Sequence, residues 1–313
     1  MVMTLFHPSD IYKESWLLLG VIKVLGLYPI TFSRTTCTNY IYVMILLICF
    51  GTLQTCAFYH IVHTFAALID VNSTFLFRAF RYLINIILFP MIMILSTHQN
   101  SKLRRAFEQI DNVDQNMKFL NTEIDHTSCM KSDVSTITTV IFIVILSNLM
   151  DYYGLLGEDT DFKYLFISWM LERVPDFVNV IIICSFTVFV NKIKFRFKQI
   201  NLTLNIMTKG KSFVSISETS DANNVFRYKL LKTLRIELCK TITLLNEAYG
   251  FRFKILLMIY ISYICFHICI IYIHGFYMLY IVDVNLTVVW CIIDFIKVVY
   301  LLQSYRSLTL EYI

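Results

Sequence analysis

Six stretches of this chain are too long and too apolar to be left in water. They lie near 40–63, 74–96, 134–153, 164–190, 253–273 and 276–302. About 20 mostly apolar residues suffice to cross the ~30 Å hydrocarbon layer of a bilayer as a helix. A backbone inside lipid must satisfy its own hydrogen bonds, so each stretch is expected to be helical. The remaining composition agrees. Hydrophobic residues make up 57% of the 313, and charged ones 16%, where a soluble chain carries about 25%. Gly (8) and Pro (4) are scarce, which favours long uninterrupted helices. The expected fold class is an all-α polytopic membrane protein. The first fifteen residues hold no apolar core of the kind a secretory signal needs, so the first span is expected to direct insertion. An earlier stretch, WLLLGVIKVLGLYPI (16–30), is too short to span and contains Lys23. It is expected to lie at the interface.

Basic residues set the orientation. The N-terminal segment carries three (Lys13, Lys23, Arg34), the connection 97–133 carries five, and the connection 191–254 carries thirteen. The connections 64–73 and 274–283 carry none, and 154–163 carries only Lys163 beside Glu158, Asp159 and Asp161. The N-terminus and the even-numbered connections are therefore expected in the cytoplasm. The chain divides into a cytoplasmic N-terminal segment (1–39), a six-helix transmembrane domain (40–302) with cytoplasmic helical connections at 97–133 and 191–252, and a cytoplasmic tail (303–313). Six of the nine cysteines lie in apolar stretches and none in an outer connection. No disulfide framework and no metal site are expected.

The long connections have helical periodicity of their own. Leu103, Phe107, Ile110, Val113, Met117, Leu120 and Ile124 recur at steps of three and four. Ile193, Phe197, Ile200 and Leu204 do the same, as do Leu231, Leu234, Leu238, Ile242, Leu245 and Tyr249. These faces are expected to bury against each other or a neighbouring subunit, the competing reading being a basic amphipathic helix on anionic lipid. The polar run MTKGKSFVSISETSDANN between them reads as a loop.

Ionisable residues at membrane depth are costly and tend to face a partner or a cavity. Arg78 and Arg81 share a face of the second span, either lining an outer cavity or snorkelling to the outer interface. Glu172, Arg173 and Asp176, with Pro175, interrupt the fourth span. They suggest a water-accessible cavity, with a self-neutralising Glu–Arg pair as the plainer reading. His267 and His274 share a face of the fifth span and suit an interhelical hydrogen bond better than a ligand or metal role. Asp294 and Lys297 lie three apart in the sixth span and are expected to pair with each other or to tether a neighbouring helix. All except the structural pair Asp294–Lys297 are candidate ligand contacts. Asn72 and Asn285 sit in outer glycosylation sequons. No phosphate-binding loop, dinucleotide fingerprint, HExxH or GxSxG run is present, so an enzyme reading has no positive support and no cofactor is expected. The basic connections lack the interleaved aromatics of a nucleic-acid binder, and no nucleic-acid partner is expected.

Three stretches carry a family resemblance: VIKVLGLYPITFS (21–33) with its turn at Gly26–Pro29, FKQINLTL (197–204), and LLNEAYGFRFKILLMI (244–259). With the topology, they resemble the insect chemoreceptor superfamily, gustatory receptor branch. The resemblance implies a seven-helix subunit of a homo- or hetero-tetrameric, ligand-gated, non-selective cation channel in the plasma membrane of sensory neurons. It also implies small-molecule tastants bound in the outer half of the helix bundle, cations as the permeating partner, and lipid around the subunits. The family's seventh helix carries Thr-Tyr, five residues, then Gln-Phe. No such run occurs here; Gln303 and Tyr305 stand in LLQSYRS in another order. A missing C-terminal piece is the expectation. The odorant receptor branch is the nearest rival. A G-protein-coupled receptor would have an outer N-terminus and an outer Cys, and a transporter would show repeats or glycine-broken helices.

Overall fold

The computed structural model describes residues 8–27, 36–66, 73–120, 122, 124–155, 162–210, 218–277 and 281–310, with side chains toward several helix ends excluded. Among the described residues eight helices follow in order: α1 Ile11–Glu14, α2 Trp16–Val24, α3 Thr36–Ala66, α4 Ser73–Phe119, α5 His126–Leu155, α6 Phe162–Gly210, α7 Glu218–Tyr277 and α8 Ile281–Leu310. No strand occurs among the described residues. Six helices, α3 to α8, are long and apolar enough to cross a membrane.

Helices α4, α6 and α7 hold 47, 49 and 60 residues. At ~1.5 Å per residue each is at least twice as long as the hydrocarbon layer is thick. They must therefore project from it, and their projecting halves bury the faces that periodicity singled out. Leu103, Phe107, Ile110, Val113 and Met117 of α4 are buried, as are Ile193, Phe197 and Ile200 of α6 and Leu231, Leu234, Leu238, Leu245 and Tyr249 of α7. The cover comes from this same chain: α4 packs along α7, and α6 packs on both. Aromatic edges lock the junction, Phe107 against Phe189 at 4.7 Å and Phe186 against Phe253 at 4.6 Å.

Helix α6 is the axis of the bundle. Between Val178 and Val190 almost every side chain is buried, the mark of a helix apolar all round. Helices α3 and α5 are peripheral: Tyr40, Ile41, Met44, Ile45 and Ile48 of α3, and Phe142, Ile143, Ile145, Leu146 and Leu149 of α5, are exposed. Such faces suit lipid.

One expectation changes. The fourth span is not interrupted, because α6 runs unbroken through Pro175; a proline removes one backbone bond and the rest of the ladder carries on. Within the stretch 16–30, helix α2 buries Leu18, Leu19 and Ile22 against α5 and α6 and leaves Trp16 and Val24 exposed. It ends where Leu27 N–H bonds Ile22 C=O (2.8 Å) and Gly26 N–H bonds Lys23 C=O (2.9 Å), with Gly26 at φ 69°. That is the glycine-terminated helix end that a left-handed residue makes.

Candidate functional site

Polar residues from four helices meet inside the membrane-spanning bundle. Arg81 of α4 is fully buried and forms an ion pair with Asp176 of α6. Arg173, one turn earlier on α6, stands 3.6 Å from the same carboxylate. Both guanidinium groups lie over the Trp290 ring of α8, Arg173 at 4.2 Å and Arg81 at 5.4 Å. Arg81 also lies 5.2 Å from the Tyr263 ring of α7. Aromatic faces stabilise such cations most when water is excluded. The Tyr263 hydroxyl donates to Asn85 Oδ1 of α4 at 3.1 Å.

A second knot is next to the first on α7 and α8. Asp294 is fully buried and accepts from Lys297 Nζ at 2.9 Å. His267 Nε2 of α7 stands 3.5 Å from its other oxygen, and Lys297 lies 5.3 Å from the Tyr260 ring. Asp294 therefore does both things anticipated for it: it pairs with Lys297 and it ties α8 to α7. Among the described side chains the cluster sets three cations, Arg81, Arg173 and Lys297, against two carboxylates, Asp176 and Asp294.

This arrangement selects among the alternatives left open by the sequence. Arg81 does not snorkel outward; it turns into the bundle. Arg173 pairs within its own turn, but with Asp176. His267 makes its contact across helices. Arg78, Glu172, His274, Asn72 and Asn285 lie outside the described side chains.

One face of the cluster borders a cavity of about 510 Å³. Helices α5 and α8 both pack on α6, and the cavity opens between them. Asp176, Trp290 and Lys297 form its charged and aromatic side, while α5 contributes Thr139, Ser147 and Asn148 among apolar groups. The volume falls in the range of about 300–1,000 Å³ typical of small-molecule sites, as does a mostly apolar lining with a few polar groups.

Sequence reasoning missed Tyr260, Tyr263, Trp290 and Asn85. A signal was present for all four: Asn85 follows Arg81 by one turn on α4. Tyr260, Tyr263 and His267 share one face of α7, and Trp290, Asp294 and Lys297 share one face of α8. Following each ionisable residue along its own stripe would have found these aromatics.

Residues 17–311 match the family described as 7tm chemosensory receptor. The chain belongs to the 7tm chemosensory receptor family. A search among curated proteins finds no match. The family is one of receptors rather than enzymes, and its multi-pass character agrees with the six apolar helices.

Proposed function

We propose that this receptor is a taste-receptor subunit of the gustatory branch, gating a non-selective cation current in a tetramer at the plasma membrane of sensory neurons. The cavity between α5, α6 and α8 receives the small-molecule tastant. The observation that carries this reading is the shared wall. Asp176, Trp290 and Lys297 line the cavity, and the same three groups bond or stack with Arg81, Arg173, Asp294 and the Tyr260 ring. A ligand that touches them alters the contacts joining α4, α6, α7 and α8. A ligand shifts a conformational equilibrium only through such differential contacts.

The odorant branch is the second reading, and the apolar part of the lining, Val140, Ile143 and Val144, is what favours it. Calcium influx in cells expressing the chain, alone and with related subunits, tests both against sugars, bitter alkaloids and volatiles. A response to non-volatile compounds that Trp290→Ala and Lys297→Gln abolish, with surface expression unchanged, supports the taste reading. A response confined to volatiles moves the receptor to the odorant branch. A response untouched by both substitutions removes the cavity from the mechanism. Antibody access to an N-terminal tag on intact cells would refute the cytoplasmic N-terminus.

A further inference from the structure

The cytoplasmic part of α6 has two polar faces of opposite kind. Lys192 and Arg196 point into the bundle, where Glu14, Asp114 and Asp133 meet them. The opposite face carries Asn191, Lys194, Lys198, Asn201 and Asn205 at steps of three, four, three and four, one continuous stripe along the helix. This stripe is concave. With Arg235 of α7 it lines a groove of about 610 Å³. Among the described residues three cations and three amides line it, and no carboxylate does.

Ordinary positive-inside charge explains lysines on a cytoplasmic helix. It does not explain three amide side chains in register with them, a second helix closing the stripe with an arginine, or the recess they enclose. Cations and N–H donors converging on a recess are what phosphate oxygens bind. The groove begins at Asn191, where the apolar run of α6 ends, and Lys194 and Lys198 lie roughly 5 and 10 Å further along the helix. Lys194 therefore lies at headgroup depth, the polar zone adding about 5–8 Å on each side of the hydrocarbon, and Lys198 lies just beyond it. Leu202 and Phe195 also line the groove and offer apolar contact.

We propose that this groove binds the phosphorylated headgroup of an inner-leaflet lipid, with Lys194, Lys198 and Arg235 holding phosphate oxygens and Asn191, Asn201 and Asn205 as amide donors. Such a lipid bridges α6 to α7 on the side where both leave the membrane.

The test titrates the full chain in detergent with dioctanoyl phosphatidylinositol 4,5-bisphosphate and dioctanoyl phosphatidylserine, read by native mass spectrometry. The bisphosphate is expected to bind at least about tenfold tighter. At roughly fivefold per basic residue, the variant Lys194→Gln/Lys198→Gln/Arg235→Gln is expected to lose about 100-fold. The control Arg105→Gln/Lys131→Gln/Lys240→Gln removes three exposed cations of α4, α5 and α7 outside the groove and is expected to lose less than about tenfold. Melting temperatures of both variants confirm folding; these are surface positions, and single substitutions at Lys194 and Lys198 serve if the triple variant misfolds. Equal binding of the two lipids, or equal loss in the two triple variants, overturns the proposal. Inositol 1,4,5-trisphosphate binding as tightly as the lipid makes the ligand a soluble anion and overturns the lipid assignment. Loss of assembly in the groove variant, with lipid binding intact, makes the face a subunit contact instead.

Discussion

The two buried charge networks of this receptor obey different rules. The network at the basic ends of the long helices gathers Glu14 from α1, Asp114 from α4, His126 and Asp133 from α5, and Lys192 and Arg196 from α6. Arg196 binds Asp114 through two nitrogens, Nε at 2.9 Å and Nη2 at 2.6 Å, and reaches Glu14 at 3.3 Å. His126 Nδ1 is 2.7 Å from Glu14. Carboxylates outnumber the Lys and Arg cations, the bonds are direct, and none of these residues lines either cavity. The membrane network has more cations than carboxylates, uses aromatic rings as partners, and borders an open volume. The first is built as a clamp. The second has contacts that a ligand can replace.

The largest expected effect comes from breaking the clamp. Glu14 is held by three partners, so Glu14→Gln leaves buried cations under-compensated, at a cost of about 3–5 kcal/mol. A steep fall in melting temperature and in surface expression would show it, and a stability near wild type would remove the clamp from the account. The pH dependence has a definite sign. Burial alone would raise the Glu14 carboxyl, but the His126 hydrogen bond and the charges of Arg196 and Lys192 hold it at about 2. A depressed carboxylate stabilises above its unfolded value and loses that contribution as pH falls through the folded one. Glu14 therefore adds no pH dependence from pH 8 to 5, and its contribution fades only below the ordinary carboxylate range, toward pH 2.

The membrane network should separate stability from response. Asp176→Asn leaves Arg81 without its main carboxylate and is expected to cost about 3 kcal/mol. Replacing the pair outright, Arg81→Met with Asp176→Leu, is expected to recover part of the lost melting temperature: apolar substitutes for a buried pair are often neutral or better, but Arg173 also loses that carboxylate. Ligand response should stay lost in the double variant. If the double variant responds normally, the pair is structural like the clamp, and the contrast between the networks collapses.

These networks also mark what a sequence displays and what it conceals. The helices were legible because apolar periodicity is local: Leu103 to Met117 announce their buried face within 15 residues. The resemblance in 21–33 was legible for a similar reason, since Gly26 terminates α2 by local backbone bonds. The pairings were not legible, because they join distant residues. Arg81 meets Asp176 across 95 positions and Glu14 meets Lys192 across 178. Lys192 and Arg196 sit in a basic run that looks like a solvated face. Only the packing of α6 against α1 and α5 shows that two of its cations are interior. Pro175 misled in the other direction: a helix breaker beside three charges read as an interruption, yet Asp176 bonds sideways to Arg81 of α4 and the helix continues.

Between the extremes lies the α2 terminus. A methyl group on Gly26 would meet Leu46 Cδ1 at 2.9 Å and Met93 Cε at 3.1 Å, and the backbone there is left-handed. Gly26→Ala is expected to cost about 1–3 kcal/mol, because flexible side-chain ends relieve the contact but not the backbone. The loss should appear as a modestly lower melting temperature without a change in ligand sensitivity. A variant as stable as wild type would show that α2 can end in another way.

The smallest effect belongs to a pair that looks as good on distance alone. Lys102 Nζ of α4 reaches Glu247 Oε2 of α7 at 2.8 Å, but the side chains are 40% and 50% exposed. Water screens both charges, and long side chains lose freedom in pairing, so Glu247→Gln is expected to cost less than about 1 kcal/mol. Salt distinguishes it from the clamp. Raising ionic strength from 0.15 to 1 M shortens the screening length from about 8 to 3 Å. It should erase the Glu247→Gln difference and leave the Glu14→Gln difference almost intact. If both differences shrank together, the clamp would be as wet as the surface pair, and burial would not be what separates an ion pair that holds this receptor together from one that merely crosses it.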